Sequence, residues 1–161
     1  MKTLYLLRHG QAEPKQIEPD DTRNLTLTGQ KESLLTAEKL LKEGLRPDII
    51  LSSHANRAHQ TAQIVAETLA YPVKNILIER DIYYTDERSL LDLITGYEDK
   101  YASLMIAGHN PSISYLAKIL SKNQSHDMPT AGVLVLQWQT TKWNDILNHP
   151  AKEILYFEPE V

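Results

Sequence analysis

Apolar residues gather in short runs, and three of these runs stop on polar, chemically capable residues. Leu4-Tyr5-Leu6-Leu7 ends on Arg8-His9-Gly10, Ile49-Ile50-Leu51 runs through Ser52-Ser53 toward Arg57, and Leu104-Met105-Ile106-Ala107-Gly108 leads to His109. Unbroken apolar runs of this kind mark strands buried on both faces, as in a parallel sheet. Between them the period becomes helical. Thr28 is the expected N-cap of a helix reaching about Glu43, with Leu34, Ala37, Leu40 and Leu41 on one side and Gly44 as its stop. Ala58, Ala62, Val65 and Leu69 give the rhythm of a second helix over Ala55 to Ala70, with Arg57 in its first turn.

The rest of the chain continues the alternation. A short strand is expected over Asn75 to Ile78, a loop over Asp81 to Asp86, a helix over Glu87 to Ile94 and a strand over Ser103 to Ala107. Pro111 fits the first turn of a helix carrying Ile113, Leu116, Ala117 and Leu120. Val133 to Gln139 and Lys152 to Phe157 read as two further strands at an edge of the sheet. Residues 11 to 26, polar and containing Pro14, Pro19, Asp20 and Asp21, are expected to form an ordered loop over the first strand end. Strands alternating with helices give an α/β fold with a mostly parallel sheet. The length of 161 residues fits one domain, residues 1–161.

Composition narrows the chemistry. With no cysteine, disulfides, thiol catalysis and thiolate zinc sites are excluded together. Seventeen Lys and Arg against twenty-one Asp and Glu give a formal charge of −4, which disfavours a nucleic-acid partner. The apolar runs are too short for a membrane span and the first residues lack a secretory leader, so the expected location is cytoplasmic. His54 and His59 do not share a helical face and no third ligand has metal spacing, so no metal or other cofactor is expected.

In an open α/β sheet the carboxyl ends of the strands share one crevice, which brings Arg8, His9, Arg57 and His109 around a single anion. A neutral imidazole such as His9 can attack phosphorus near neutral pH, and a guanidinium fork can bind two phosphoryl oxygens. Gly10 permits close backbone approach beside His9. Arg23 is a candidate for the same anion or for pinning the loop to an acidic neighbour. As a cation, His109 would grip a phosphoryl oxygen opposite the arginines. Asn110 would orient it or touch substrate. Ser52 and Ser53 lack a serine-nucleophile elbow, and Gly108-His109-Asn110-Pro111 is not a nucleotide-binding phosphate loop.

These motifs resemble the histidine phosphatase superfamily along essentially the whole chain. They are Arg8-His9-Gly10, Arg23-Asn24-Leu25-Thr26, Ser52-Ser53 through Arg57-Ala58, Gln60-Thr61-Ala62, Gly108-His109-Asn110-Pro111 and Pro129-Thr130-Ala131-Gly132. The resemblance implies a three-layer α/β/α sandwich of the phosphoglycerate-mutase-like kind. It also implies a phosphorylated His9, a phosphoryl group stabilised by His109, Arg8 and Arg57, and release of phosphate by water without a metal. Within the superfamily the arrangement looks like the SixA-type phosphohistidine phosphatases. Mutases and sugar-phosphate phosphatases commonly carry a glutamate acid where Ile82-Tyr83-Tyr84 stands here.

A missing leaving-group acid suits phosphohistidine, whose departing imidazole takes a proton on its distal nitrogen, better than an ester. The expected substrate is a phosphohistidine-bearing protein such as a phosphotransfer signalling domain. Two alternatives stay open. One is a phosphomonoesterase acting on phosphoserine, phosphothreonine or small esters, with Glu79, Asp81, Asp86 or Glu87 as acid. The other is a noncatalytic phosphoprotein-binding module.

Overall fold

The computed structural model describes residues 1–161. Strands β1 (Lys2–Arg8), β2 (Ile49–Ser52), β3 (Leu77–Ile78), β4 (Ser103–Gly108), β5 (Val133–Trp138) and β6 (Lys152–Phe157) form one sheet in the order β3-β2-β4-β1-β5-β6. Helices α1 (Leu27–Lys42) and α2 (Asn56–Thr68) cover one face, and α3 (Glu87–Thr95) and α4 (Ser112–Ser121) cover the other. The first four strands pair in parallel and β5 runs against both β1 and β6. The sheet is therefore mixed, with β5 as its one reversed strand.

Alternation along β1 explains the three layers. Leu4 and Leu6 pack with Leu90, Ile94, Ile113 and Leu116 of α3 and α4. Tyr5 and Leu7 pack with Ala37, Leu40, Ala62 and Val65 of α1 and α2. All four β1 side chains are buried, and each such burial contributes about 2 kcal/mol. A strand interior to both faces has no polar side, which is why its sequence shows none.

Several boundaries differ from expectation for local reasons. The cap of α1 is Thr26 rather than Thr28, because the Thr26 hydroxyl accepts from the Gly29 amide at 3.0 Å. Leu34 and Leu41 are exposed, since α1 turns its small residues Gly29, Ser33, Thr36 and Ala37 inward for close packing on α2. Residues 73–75 form a 3-10 turn, which shortens β3 to two residues. Pro111 occupies the position before α4 rather than its first turn. A 3-10 segment over Trp143–Asn148, unmarked in the sequence pattern, buries Trp143 and Ile146 under α3.

Register brings the working ends level. Arg8 lies opposite Gly108, the His9 amide donates to the Gly108 carbonyl at 3.1 Å, and the Ser53 amide donates to the Ala107 carbonyl at 3.1 Å. The carboxyl ends of β1, β2 and β4 thus open on one side of the sheet.

Candidate active site

At the end of β1, the His9 ring stands 5.1 Å from that of His109, between their centroids. His9 Nδ1 lies 2.7 Å from the Gly10 carbonyl, which can only accept, so the proton sits on Nδ1 and the lone pair on Nε2. Nε2 has no hydrogen-bond partner in the protein. Burial together with Arg57, Arg8 and Arg23 pushes the His9 pKa down to about 4, keeping that lone pair available at neutral pH.

Two glycines hold this geometry. A Cβ on Gly10 would come within 2.6 Å of the Gly29 carbonyl, and one on Gly29 within 2.0 Å of the Gln11 carbonyl. The Gly10 amide donates to Thr61 on α2 at 2.9 Å. Gly10 therefore acts as the crossing point of the loop and α1, and its carbonyl fixes His9.

Burial, with His9 and Arg57 nearby, lowers the His109 pKa to about 3, so the ring is neutral at neutral pH when no anion lies beside it; an anion there would raise that pKa. Its Nε2 lies 2.8 Å from Ser53 Oγ, and its Nδ1 is buried without a partner. Asn110 is engaged structurally at this turn. Its amide donates to the Met128 carbonyl at 3.1 Å and accepts from Ser114 at 2.7 Å, making it a brace between the start of α4 and the segment before β5.

The arginines are anchored by acceptors behind them. Arg8 donates through Nη1 to the Met128 carbonyl at 3.0 Å, and Arg57 binds the Asp20 carbonyl at 2.8 Å and its carboxylate at 2.9 Å. Arg23 holds the same carboxylate through Nε at 3.0 Å and Nη2 at 2.8 Å, and reaches the Glu13 carbonyl. Tyr83 donates its hydroxyl to Asp20 as well. One carboxylate thus ties loop, α2 and the turn after β3 together. Sequence reasoning assigned Asp20 no role at the site; its spacing of three from Arg23 was the available signal.

Four buried side-chain polar atoms of the chain lack a partner: Arg8 Nε, Arg57 Nε, His109 Nδ1 and His54 Nδ1. Buried polar atoms are nearly always paired, so these four are exceptions to the rule. Three come from the residues expected to surround an anion. His54, whose Nε2 meets Asp21 at 3.1 Å, packs its ring 4.9 Å from Tyr83 at the rim.

Of the general-acid candidates, Asp86 is engaged as a helix cap, accepting from the Ser89 amide of α3 at 2.8 Å, and Asp81 is exposed. Glu79 is half-buried and its amide bonds Ser52, while Glu87 opens α3. Tyr83, not a carboxylic acid, faces the site, with its ring 5.3 Å from His109.

Comparison with known proteins agrees with this architecture. The Agrobacterium tumefaciens structure assigned as phosphohistidine phosphatase SixA superposes with a TM-score of 0.84 at 26% identity, covering 98% of each chain. The protein histidine phosphatase SixA bound to tungstate gives 0.76 at 22% identity, over 98% of this chain and 97% of that one. Among curated sequences, a Serratia proteamaculans protein named as a probable phosphoglycerate mutase, GpmB, is 30% identical over 112 residues, 67% of this chain and 51% of that protein. An uncharacterized Picosynechococcus protein is 27% identical over 143 residues, covering 83% and 84%. The chain spans about half the length of the curated mutases it matches. The family model described as the histidine phosphatase superfamily, branch 1, matches residues 4–112, and the chain belongs to that family.

Proposed function

We propose that this protein is a phosphohistidine phosphatase that removes the phosphoryl group from a histidine on a protein, such as a phosphotransfer signalling domain, through phospho-His9. The observation that carries the reading is a His9 ring whose Nε2 is free, 5.1 Å from the His109 ring and close enough to Arg8 and Arg57 to feel their charge, with unpartnered buried nitrogens on all three neighbours. Three donors match three non-bridging phosphoryl oxygens, and the lone pair matches the attacking atom. The His9 Nε2–P bond forms as the P–N bond of the substrate breaks. The departing imidazole carries a proton on its distal nitrogen. Water then attacks phosphorus, the Nε2–P bond breaks, and inorganic phosphate leaves.

Specificity for phosphohistidine rests on proton supply. The Asp20 carboxylate lies at the site, but hydrogen bonds from Tyr83, Arg57 and Arg23 hold its pKa far below the ordinary carboxylate range. Burial and Asp20 raise the Tyr83 hydroxyl to about 12. Neither is a ready donor to an alkoxide, whereas an imidazole leaves without one. The likeness to the SixA structures supports the same substrate class.

Turnover of purified protein on a phosphohistidine-bearing carrier domain and on a panel of phosphate esters tests the reading. Faster hydrolysis of the carrier is expected, with phosphate trapped on His9 by rapid quenching. Markedly faster ester hydrolysis would overturn the substrate assignment in favour of a phosphomonoesterase. Binding without turnover would leave a noncatalytic module.

A further inference from the structure

We infer that Ser53 is a positioning residue that fixes the tautomer of His109, so that a neutral imidazole presents an N–H to the phosphoryl group. The inference rests on the proposed phosphoryl chemistry for its consequence, but its geometry stands alone. Ser53 is fully buried. Its Oγ accepts from the Ala55 amide at 3.1 Å and lies 2.8 Å from His109 Nε2.

Proton counting selects one arrangement. A serine hydroxyl has one proton to give and two lone pairs. The Ala55 N–H takes one lone pair, and the only acceptor in reach of the hydroxyl proton is His109 Nε2. With Ser53 donating to Nε2, the ring proton resides on Nδ1, the atom buried without a partner. In the opposite tautomer Nε2–H would donate to Ser53, leaving the buried hydroxyl proton unpaired and turning the Nδ1 lone pair toward an anionic oxygen. That arrangement loses two interactions at once.

The consequence is a division of labour between two identical rings. The Gly10 carbonyl accepts from His9 Nδ1–H and so bares the Nε2 lone pair for attack. The Ser53 hydroxyl donates to His109 Nε2 and so keeps the ring proton on Nδ1, which makes His109 offer the proton end. Both act uncharged, in keeping with their depressed pKa values. The hydrogen bond on the far nitrogen decides which ring attacks and which one donates.

Nitrogen-15 NMR of histidine-labelled full-length protein, with His109 assigned from the His109→Gln spectrum, reads this directly. Wild type is expected to show His109 protonated on Nδ1 and bare on Nε2, with the Nδ1 proton shifting when inorganic phosphate is added. Ser53→Ala is expected to give a tautomer mixture. If the donor form drops to about one tenth, kcat falls about tenfold with little change in KM. Ser53→Thr, which keeps the hydroxyl, restores the Nδ1–H form. Ser52→Ala, which removes a neighbouring buried hydroxyl bonded only to the Ser53 carbonyl, leaves the tautomer unchanged.

An Nε2-protonated His109 in wild type, or an unaltered tautomer in Ser53→Ala, would overturn the inference. Should Ser53→Ala fail to fold, the wild-type spectrum alone decides. Because the spectrum requires no turnover, a failed phosphohistidine assay would refute the substrate assignment without touching this result.

Discussion

The two ends of β1 each carry a cation, Lys2 buried and Arg8 half-buried, and the cations are treated in opposite ways. At the amino end Lys2, 2% exposed, donates to the carbonyls of Asp99 at 2.6 Å and Tyr101 at 2.8 Å, above the Trp143 ring. Trp143 joins the same cluster, its indole N–H donating to Tyr101 at 2.9 Å and its amide to the Asp99 carboxylate at 2.8 Å. At the carboxyl end, Arg8 and its neighbours keep buried donors with no acceptor. A stable fold has no reason to leave such groups open, since each costs on the order of 1–3 kcal/mol. The contrast separates a closed polar cluster that holds the chain together from one whose donors find no partner within the protein.

Substitutions at the two ends should therefore fail in different measurements. The largest effect belongs to His9→Ala, expected to abolish turnover while moving the unfolding midpoint by no more than ~1 kcal/mol. Arg57→Ala and Arg8→Ala come next. Each removes a preorganised donor and should lower kcat/KM about 100-fold or more, roughly 3 kcal/mol of transition-state stabilisation. A modest fall for Arg57→Ala would move that residue to the rim of the pocket. Lys2→Ala reverses the pattern: a loss of about 2 kcal/mol in denaturant unfolding, with kcat/KM unchanged, because two hydrogen bonds from a buried ammonium to the Asp99 and Tyr101 carbonyls are lost.

A further effect is a pH slope to which the open end contributes through its two histidines. His9 and His109 have folded pKa values of about 4 and about 3 against 6.5 for the unfolded chain. Below 6.5 the unfolded state binds protons that the folded state refuses. Stability is therefore full above that pH and declines as pH falls through the folded values. Asp20, also held low, acts in the same direction but in a more acidic window. Unfolding midpoints measured between pH 7 and pH 4 should fall for wild type and fall less for His9→Gln; equal slopes would mean that His9 is not held neutral by burial.

The convergence of Arg8, His9, Arg57 and His109 was legible because apolar runs that end on polar residues encode strand ends, and strand ends in such a sheet share a side. The local periodicity that revealed the helices also misled in α1. Leu34 and Leu41 look like core residues by spacing, yet the inward face belongs to smaller side chains where α2 comes close. What stayed hidden depends on partners distant in sequence. Nothing in residues 11–26 announces that Asp20 will meet Arg57, thirty-seven positions away, or that Tyr83 will join them. The low pKa of His109 was hidden for the same reason. It follows from burial beside His9 and Arg57, a property of assembled space rather than of the Gly-His-Asn-Pro string.

The contact between Gly29 and the Gln11 backbone extends the functional footprint well past the groups that meet phosphate. Any side chain at position 29 would have to push apart a helix and the loop that carries the Gly10 carbonyl, and through that carbonyl would turn the His9 ring. A helix position away from the site is thereby held to glycine by the same geometry that orients His9. Variant screens restricted to pocket-facing side chains would overlook it.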